Sequence, residues 1–294
     1  MDSIEPAAAP PRPGLARRIA RYPLVQAFTG ALILFVAIAA ASAAGEALGV
    51  VKGPYGLLGA VLIALAVVGA WKLYKRWIER EPDREFAVAA VSALPVGMAA
   101  GAAFFCLLVG AVWALGGIRF DGMRPLAGTQ WAQWAAIGLV SGFFEETLFR
   151  GLLFRAIEKV SGTWIALAVT SAFFGLSHIF NPGATWFAAL AIAVEAGILL
   201  GAAYLLTRRL WLAVGLHAAW NFTQGWVFSV PVSGGAAPIG LIRTTREGPE
   251  WLTGGAFGLE ASAVAMLVVT AVGLGLLRWA YRRGEFVALP WRRS

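Results

Sequence analysis

The chain has 294 residues, of which 59% are hydrophobic and only 14% charged, so it is more apolar than an ordinary globular domain. The net charge of +8 comes from short basic clusters between apolar blocks, not from one basic stripe, which argues against a nucleic-acid-binding protein. The single cysteine, Cys106, excludes a disulfide framework and a multi-cysteine metal site. Several apolar blocks exceed about 18 residues, enough to cross a bilayer as a helix. We therefore predict an all-α, polytopic bundle in the lipid bilayer.

About eight transmembrane helices are predicted along this chain. In order, they cover residues 24–44, 55–74, 90–116, 132–155, 163–180, 185–206, 210–229 and 258–280. Gly and Ala are abundant within them, which suits close helix packing in lipid. The predicted organisation is a disordered cytoplasmic tail (1–22), N-terminal transmembrane helices (23–125), a core that carries the polar residues described below (130–225), and an external loop, last transmembrane helix and basic cytoplasmic tail (226–294).

The distribution of basic residues predicts the orientation. With the N-terminus inside, 19 of the 24 Lys and Arg residues fall in cytoplasmic segments or at their borders. The five others are Lys52, Arg119, Arg124, Arg243 and Arg246. The excess of positive charge on the inner side predicts a multi-pass protein of the plasma or inner membrane with both termini in the cytoplasm.

Ionisable and amide side chains interrupt the apolar spans at a few positions. Because a charge at mid-bilayer costs several kcal/mol, such residues are candidate functional residues. They are Glu145, Glu146 and Arg150 in the fourth span, His178 in the fifth, Glu195 in the sixth, and His217 and Asn221 in the seventh. Counting helical rise puts Glu145, His178, His217 and Asn221 at a common depth, nearer the cytoplasmic side.

Helical spacing separates the roles of these residues. Glu146 and Arg150 are one turn apart and can form an ion pair. Glu145 points about 100° away from Glu146, which leaves it free for chemistry. His217 and Asn221 also lie one turn apart and project from one stripe of their helix. No role is assigned to Glu195.

This set of side chains suits peptide hydrolysis without a covalent intermediate. Glu145 next to His178 can activate a water molecule, because burial favours a carboxylate that accepts a proton. His217 and Asn221 can then donate to the oxyanion. Zinc is the alternative, with His178, His217 and Glu145 as ligands and an open fourth position. No cofactor is favoured, and the residues alone do not separate the two mechanisms.

The three motifs resemble those of the CPBP family of intramembrane proteases, which includes type 2 CAAX prenyl proteases and the Abi proteins. The matching segments are Glu145-Glu146-x-x-x-Arg150, Phe174-x-x-x-His178 and His217-x-x-x-Asn221, within about residues 130–225. The resemblance implies that Glu145 and His178 activate water, that His217 and Asn221 form the oxyanion site, and that Glu146 and Arg150 support it. It also implies a membrane-associated peptide or protein substrate, with CAAX-type processing as the activity. The stretch around Glu260 is similar to bacterial members, without a role for that residue.

Two interpretations from other classes remain open at this point. A proton-coupled transporter could use Glu145, Glu195 and the histidines as a relay, although no inverted repeat is visible in the sequence. A catalytically silent scaffold or bacteriocin-immunity factor would have no need of such costly groups in lipid. The oligomeric state is not predicted.

Overall fold

The computed structural model describes residues 14–50 and 56–289. Its α-helices are α1 (Leu15–Ala20), α2 (Pro23–Ala47), α3 (Gly56–Tyr74), α4 (Ala93–Ala114), α5 (Trp131–Glu146), α6 (Arg155–Ser161), α7 (Thr163–Ser177), α8 (Trp186–Thr207), α9 (Leu210–Phe222), α10 (Glu250–Thr253) and α11 (Ala263–Arg282). Three π-helical segments continue α3, α5 and α9, and these are Lys75–Glu79, Thr147–Phe154 and Thr223–Val227. Two strands, β1 (Ile118–Met123) and β2 (Ile242–Arg246), and three short 3-10 helices, Val88–Ala90, Leu126–Gly128 and Leu259–Ala261, complete the regular structure of the described residues.

The prediction of an all-α membrane bundle is confirmed. Five helical segments of the described chain are long and apolar enough to cross a membrane, and these are Pro23–Ala47, Gly56–Glu79, Val88–Ala114, Trp186–Thr207 and Ala263–Arg282. Helix α7 is apolar but shorter. The run from α5 to α6 and the run from α9 to Val227 carry the polar residues, and they coincide with the fourth and seventh predicted spans.

Some details differ from the sequence prediction. Residues 1–13 of the predicted disordered tail lie outside the described residues, as do Lys52, Arg292 and Arg293, but Leu15–Ala20 is helical. The last helix begins at Ala263, five residues later than expected, because Ser262 caps it by accepting from the backbone N–H of Ala265. The antiparallel pair of β1 and β2 was not expected, since its strands lie more than 100 residues apart and neither forms a local hairpin.

The two ends of the bundle differ in character. We call one the basic end, formed by residues 74–86, 155–163, 207–210 and 282–289. There ion pairs such as Arg155 Nη2–Glu79 Oε2 (2.9 Å) and Arg208 Nη1–Glu158 Oε2 (2.6 Å) join α6 to the ends of α3 and α8. We call the other the loop end, formed by residues 47–50, 115–130, 178–185 and 228–262, which contains the strand pair. The predicted orientation places the basic end in the cytoplasm.

Helix α9 lies between α4 and α5, and glycines allow their backbones to approach one another. A Cβ atom on Gly138 of α5 would lie 2.5 Å from the carbonyl oxygen of Ala218, and one on Gly142 would lie 2.8 Å from that of Val214. Gly101 of α4 meets the carbonyl oxygen of Leu216 in the same way. Small residues at such crossings permit van der Waals packing that larger side chains prevent. This packing fixes the separation of the polar residues on α5 and α9.

Replacing Gly138 with valine is expected to separate α5 from α9 and lower stability by about 1–3 kcal/mol, because an added side chain overpacks a tight crossing. Thermal melting of the purified protein measures the effect. Gly110→Ala on α4 is the matched control, since a Cβ atom there meets nothing within 4 Å. Equal melting temperatures for the wild type and Gly138→Val would contradict this account of the crossing.

Candidate active site

A buried ion-pair network forms the base of the site. The Nη1 of Arg150 donates to Glu146 Oε1 at 3.0 Å, so the pair expected from helical spacing is present. The same oxygen lies 2.9 Å from Nδ1 of His217 on α9, a contact that helical spacing does not predict. Arg150 and Glu146 are 2% and 0% exposed, and a buried charge of either sign needs such a partner. The network therefore joins α5 to α9 at the level of His217.

Arg150 also connects this base to α8. Its Nη2 donates to the carbonyl oxygens of Ala196 and Gly197 at 3.4 and 3.3 Å. Its guanidinium lies 4.5 Å from the ring centroid of Phe174, a cation–π geometry. A planar group with several fixed donors can make all these contacts at once.

Glu145 lies on the other side of the His217 ring from Glu146. Its Oε2 is 4.0 Å from His217 Nε2, beyond a hydrogen bond, and has no hydrogen-bond partner among the described residues although that atom is buried. The side chain as a whole is 24% exposed. The two glutamates thus flank one imidazole, and Glu145 is the one with an uncommitted oxygen facing the site.

His178 follows the last residue of α7, so it lies at the helix end and not within the helix as predicted. Its Nδ1 is 2.7 Å from the carbonyl oxygen of Phe174, which makes Nδ1 the protonated nitrogen of the neutral ring. The lone pair is then on Nε2. Phe174 packs on both histidines, with ring centroids 5.0 Å from His178 and 6.1 Å from His217. The Phe-x-x-x-His spacing therefore fixes the orientation of His178.

Asn221 is held by α5. Its Nδ2 donates to Ser141 Oγ at 2.8 Å, and Ser141 Oγ in turn donates to the carbonyl oxygen of Gly138 at 3.2 Å. An amide nitrogen carries two hydrogens, so one of them remains for a ligand. Ser141 was not among the predicted residues, although it lies one turn before Glu145 and so shares its helix face.

Two adjoining cavities connect these side chains. The inner cavity, of about 40 Å³, holds room for water molecules and is lined by polar groups including His178, His217, Asn221, Glu195 and Glu260. The outer cavity, of about 450 Å³, is lined by Glu145, His178, Asn221, Ser141 and segments of the loop end, among them residues 181–182 and 232–238. Three of the four predicted catalytic residues, Glu145, His178 and Asn221, thus share the outer cavity, and His217 lines the inner one.

The outer cavity changes one expectation. Its lining comes from the α7–α8 turn, the start of α5 and the loop after α9, all at the loop end. The depth predicted from sequence lies nearer the basic end, because it assumes straight helices and does not include the fold-back of residues 230–238 over the bundle. Under the predicted orientation, this cavity faces the outside and not the cytoplasm.

The loop over the site is anchored at Ser233. Its backbone N–H donates to Glu260 Oε1, and its carbonyl oxygen accepts from Asn181 Nδ2 at 2.9 Å. Ser233 has φ +48° and the next residue, Gly234, has φ +79°, where a Cβ would collide with the carbonyl oxygen of Pro182. Glu260 thus has a structural partner, whereas Glu195 Oε2 is buried with no hydrogen-bond partner among the described residues.

The residues of the alternative zinc site do not form a metal-binding cluster. Within residues 14–50 and 56–289, no three His, Cys, Asp or Glu side chains are grouped so that they could hold a metal ion. Because Nδ1 of His217 faces Glu146, only its Nε2 is left as a ligand atom. In the described residues, Glu145, His178 and His217 are thus not grouped as zinc ligands in this arrangement.

The fold and the buried polar set define an all-α integral membrane protein with a polar cavity inside its bundle. Residues 127–223 match the family model described as Type II CAAX prenyl endopeptidase Rce1-like, which is the CPBP family, and this confirms the resemblance drawn from the three motifs. Comparison with curated proteins and with solved structures gives no match.

Proposed function

We propose that this protein is an intramembrane endopeptidase that hydrolyses a peptide bond of a membrane-associated peptide or protein. The observation that carries the proposal is the outer cavity, where the uncommitted Oε2 of Glu145 faces a space shared with His178 and Asn221. The matched family supports the reaction class. The natural substrate is left to experiment.

Glu145 and His178 activate the water in this proposal. The carboxylate of Glu145 takes the proton as the water oxygen attacks the carbonyl carbon of the scissile bond. His178 accepts a hydrogen bond from the same water at Nε2, because its Nδ1–H is held by the Phe174 carbonyl. Glu145 then returns the proton to the leaving amine, which completes hydrolysis without a covalent enzyme intermediate.

His217 and Asn221 stabilise the oxyanion. Asn221 keeps one N–H free while Ser141 holds the other. Because the Nδ1–H of His217 already faces Glu146, the ring can donate from Nε2 only as an imidazolium. The carboxylates of Glu145 and Glu146 balance the positive charge of that imidazolium. Arg150 in turn neutralises Glu146. Such fixed donors typically contribute about 10²–10³-fold each to the rate. No step in this mechanism requires a metal ion.

The direction from which substrate arrives follows from the loop-end opening. If both termini are cytoplasmic, as the charge distribution predicts, substrate reaches the site from the outer face of the membrane. We therefore retain the predicted orientation and propose access at the loop end, in place of access from the cytoplasm.

A cysteine at Ala236 tests the orientation. Ala236 is exposed and lines the outer cavity. In a Cys106→Ser background, a membrane-impermeant maleimide added to intact cells is expected to label Ala236→Cys and to leave Arg283→Cys, at the basic end, unlabelled until the cells are opened. The reverse pattern would show that the loop end faces the cytoplasm and that the charge-based orientation is wrong.

Peptide hydrolysis by the reconstituted protein tests the CAAX part of the proposal. A peptide with a farnesylated C-terminal CAAX sequence and its unmodified counterpart are incubated with wild type in vesicles, and the new termini are identified by mass spectrometry. CAAX-type processing predicts cleavage of the farnesylated peptide. If only the unmodified peptide is cleaved, the protein is a protease that does not recognise the prenyl group. If neither peptide is cleaved, the assignment of CAAX-type processing is wrong.

A further inference from the structure

A cavity of about 520 Å³ lies at the basic end, between α1, the start of α2 and the π-helical segment Lys75–Glu79. We call it the headgroup cavity. Its basic lining residues are Arg17, Arg21, Arg80 and Lys159, and its acidic ones are Glu79 and Glu81. It is far from the site described above, which opens at the opposite end of the bundle.

The acids of the headgroup cavity already form ion pairs with Lys75, Arg155 and the cavity's own Lys159. Glu79 pairs with Lys75 at 2.5 Å, Arg155 at 2.9 Å and Lys159 at 3.1 Å. Glu81 lies within 3.5 Å of the same three cations. Within the described residues, no acidic side chain lies within ion-pair distance of Arg17, Arg21 or Arg80, and all three are exposed. Among residues 14–50 and 56–289, the three guanidinium groups of the cavity therefore have no acidic counter-charge.

The surroundings of the cavity are those of a membrane interface. Trp77 is 61% exposed and lines the cavity, and tryptophan is enriched at headgroup level. On α1, Leu15 and Ile19 are 70% and 53% exposed on a helix that also carries arginines, a composition suited to lying in the interface. Gln26 fixes the cavity wall by donating from Nε2 to the Ile78 carbonyl oxygen at 3.2 Å.

We infer that the headgroup cavity binds the phosphate of an anionic phospholipid, with Arg17, Arg21 and Arg80 as donors. A phosphodiester matches the fork geometry of arginine, and the acyl chains would extend along the apolar face formed by Leu15 and Ile19. The cavity lies where the predicted orientation puts the anionic cytoplasmic leaflet. Such binding would dock α1 against the bundle independently of any proteolysis.

Lipid titration of the purified protein followed by native mass spectrometry tests the inference. Wild type is expected to retain phosphatidylglycerol in preference to phosphatidylcholine, and the variant Arg17→Gln/Arg21→Gln/Arg80→Gln is expected to bind phosphatidylglycerol about 100-fold more weakly. The control variant Arg278→Gln/Arg282→Gln/Arg283→Gln removes the same charge from exposed positions on or just after α11 near the same end, and should bind as wild type does.

Three results would overturn the inference. Equal losses in both triple variants would indicate general electrostatic attraction instead of a site. Equal retention of the two lipids by wild type would remove headgroup recognition. Full competition by free glycerol 1-phosphate would indicate a small soluble phosphate ligand. If the triple variant folds poorly, the single variants Arg21→Gln and Arg80→Gln are measured instead. The inference predicts that each weakens phosphatidylglycerol binding, and wild-type binding by either would overturn it.

Discussion

Replacing Glu145 with glutamine is expected to reduce peptide cleavage by about 10²–10⁴-fold, because glutamine keeps the shape of the side chain but cannot accept the proton of the attacking water. The loss should appear in the turnover number more than in the apparent substrate affinity, since the carboxylate acts in the chemical step. Cleavage by the variant reconstituted in vesicles, measured against wild type at equal protein, checks the expectation.

The matched control for this variant is Glu46→Gln. Glu46 is an exposed carboxylate at the loop-end terminus of α2, remote from the outer cavity lining. It should cleave at the wild-type rate. Wild-type turnover by Glu145→Gln would refute the role of Glu145 as the base while leaving the protease assignment in place.

Replacing Arg150 with methionine is expected to destabilise the protein by about 3–5 kcal/mol, because it leaves the buried carboxylate of Glu146 without its cation. Methionine fills much of the space of the arginine side chain. The loss of stability therefore reflects the unpaired charge of Glu146 and the broken hydrogen bonds to the carbonyl oxygens of Ala196 and Gly197. Thermal melting of the purified protein measures it.

Two further variants separate charge from packing in this prediction. The double variant Glu146→Gln/Arg150→Met removes both charges and should regain a large part of the stability. Arg278→Met removes an exposed arginine of α11 and should melt as wild type does. If Arg150→Met alone were as stable as wild type, the buried pair of Arg150 and Glu146 and its contacts to α8 would not stabilise the bundle.

Much of the fold follows from hydrophobic blocks, because a span of about 20 apolar residues has few structures open to it in a bilayer. The eight predicted spans coincide with helices, and the Glu146–Arg150 pair follows from one turn of spacing. The contact between Glu146 and His217 could not be predicted from the sequence, because it joins residues 71 positions apart through the packing of α5 and α9.

The loop end shows where helical periodicity stops being informative. Residues 228–262 contain the strand β2, the anchored Ser233 and the short segment that presents Glu260, and none has a repeating apolar pattern that would reveal its path. The folded-back loop moves the opening of the site to this end. The position of His178 just beyond α7 has the same origin, since the apolar block predicted a longer helix than the one that forms.

The most direct test of the central claim compares protein termini, by mass spectrometry, in membranes from cells that carry wild type or Glu145→Gln at matched levels. The account predicts new termini that appear only with the wild type, which would establish proteolysis and identify substrates in one measurement. Identical sets of termini across several growth conditions would contradict it and favour a membrane scaffold or a transporter.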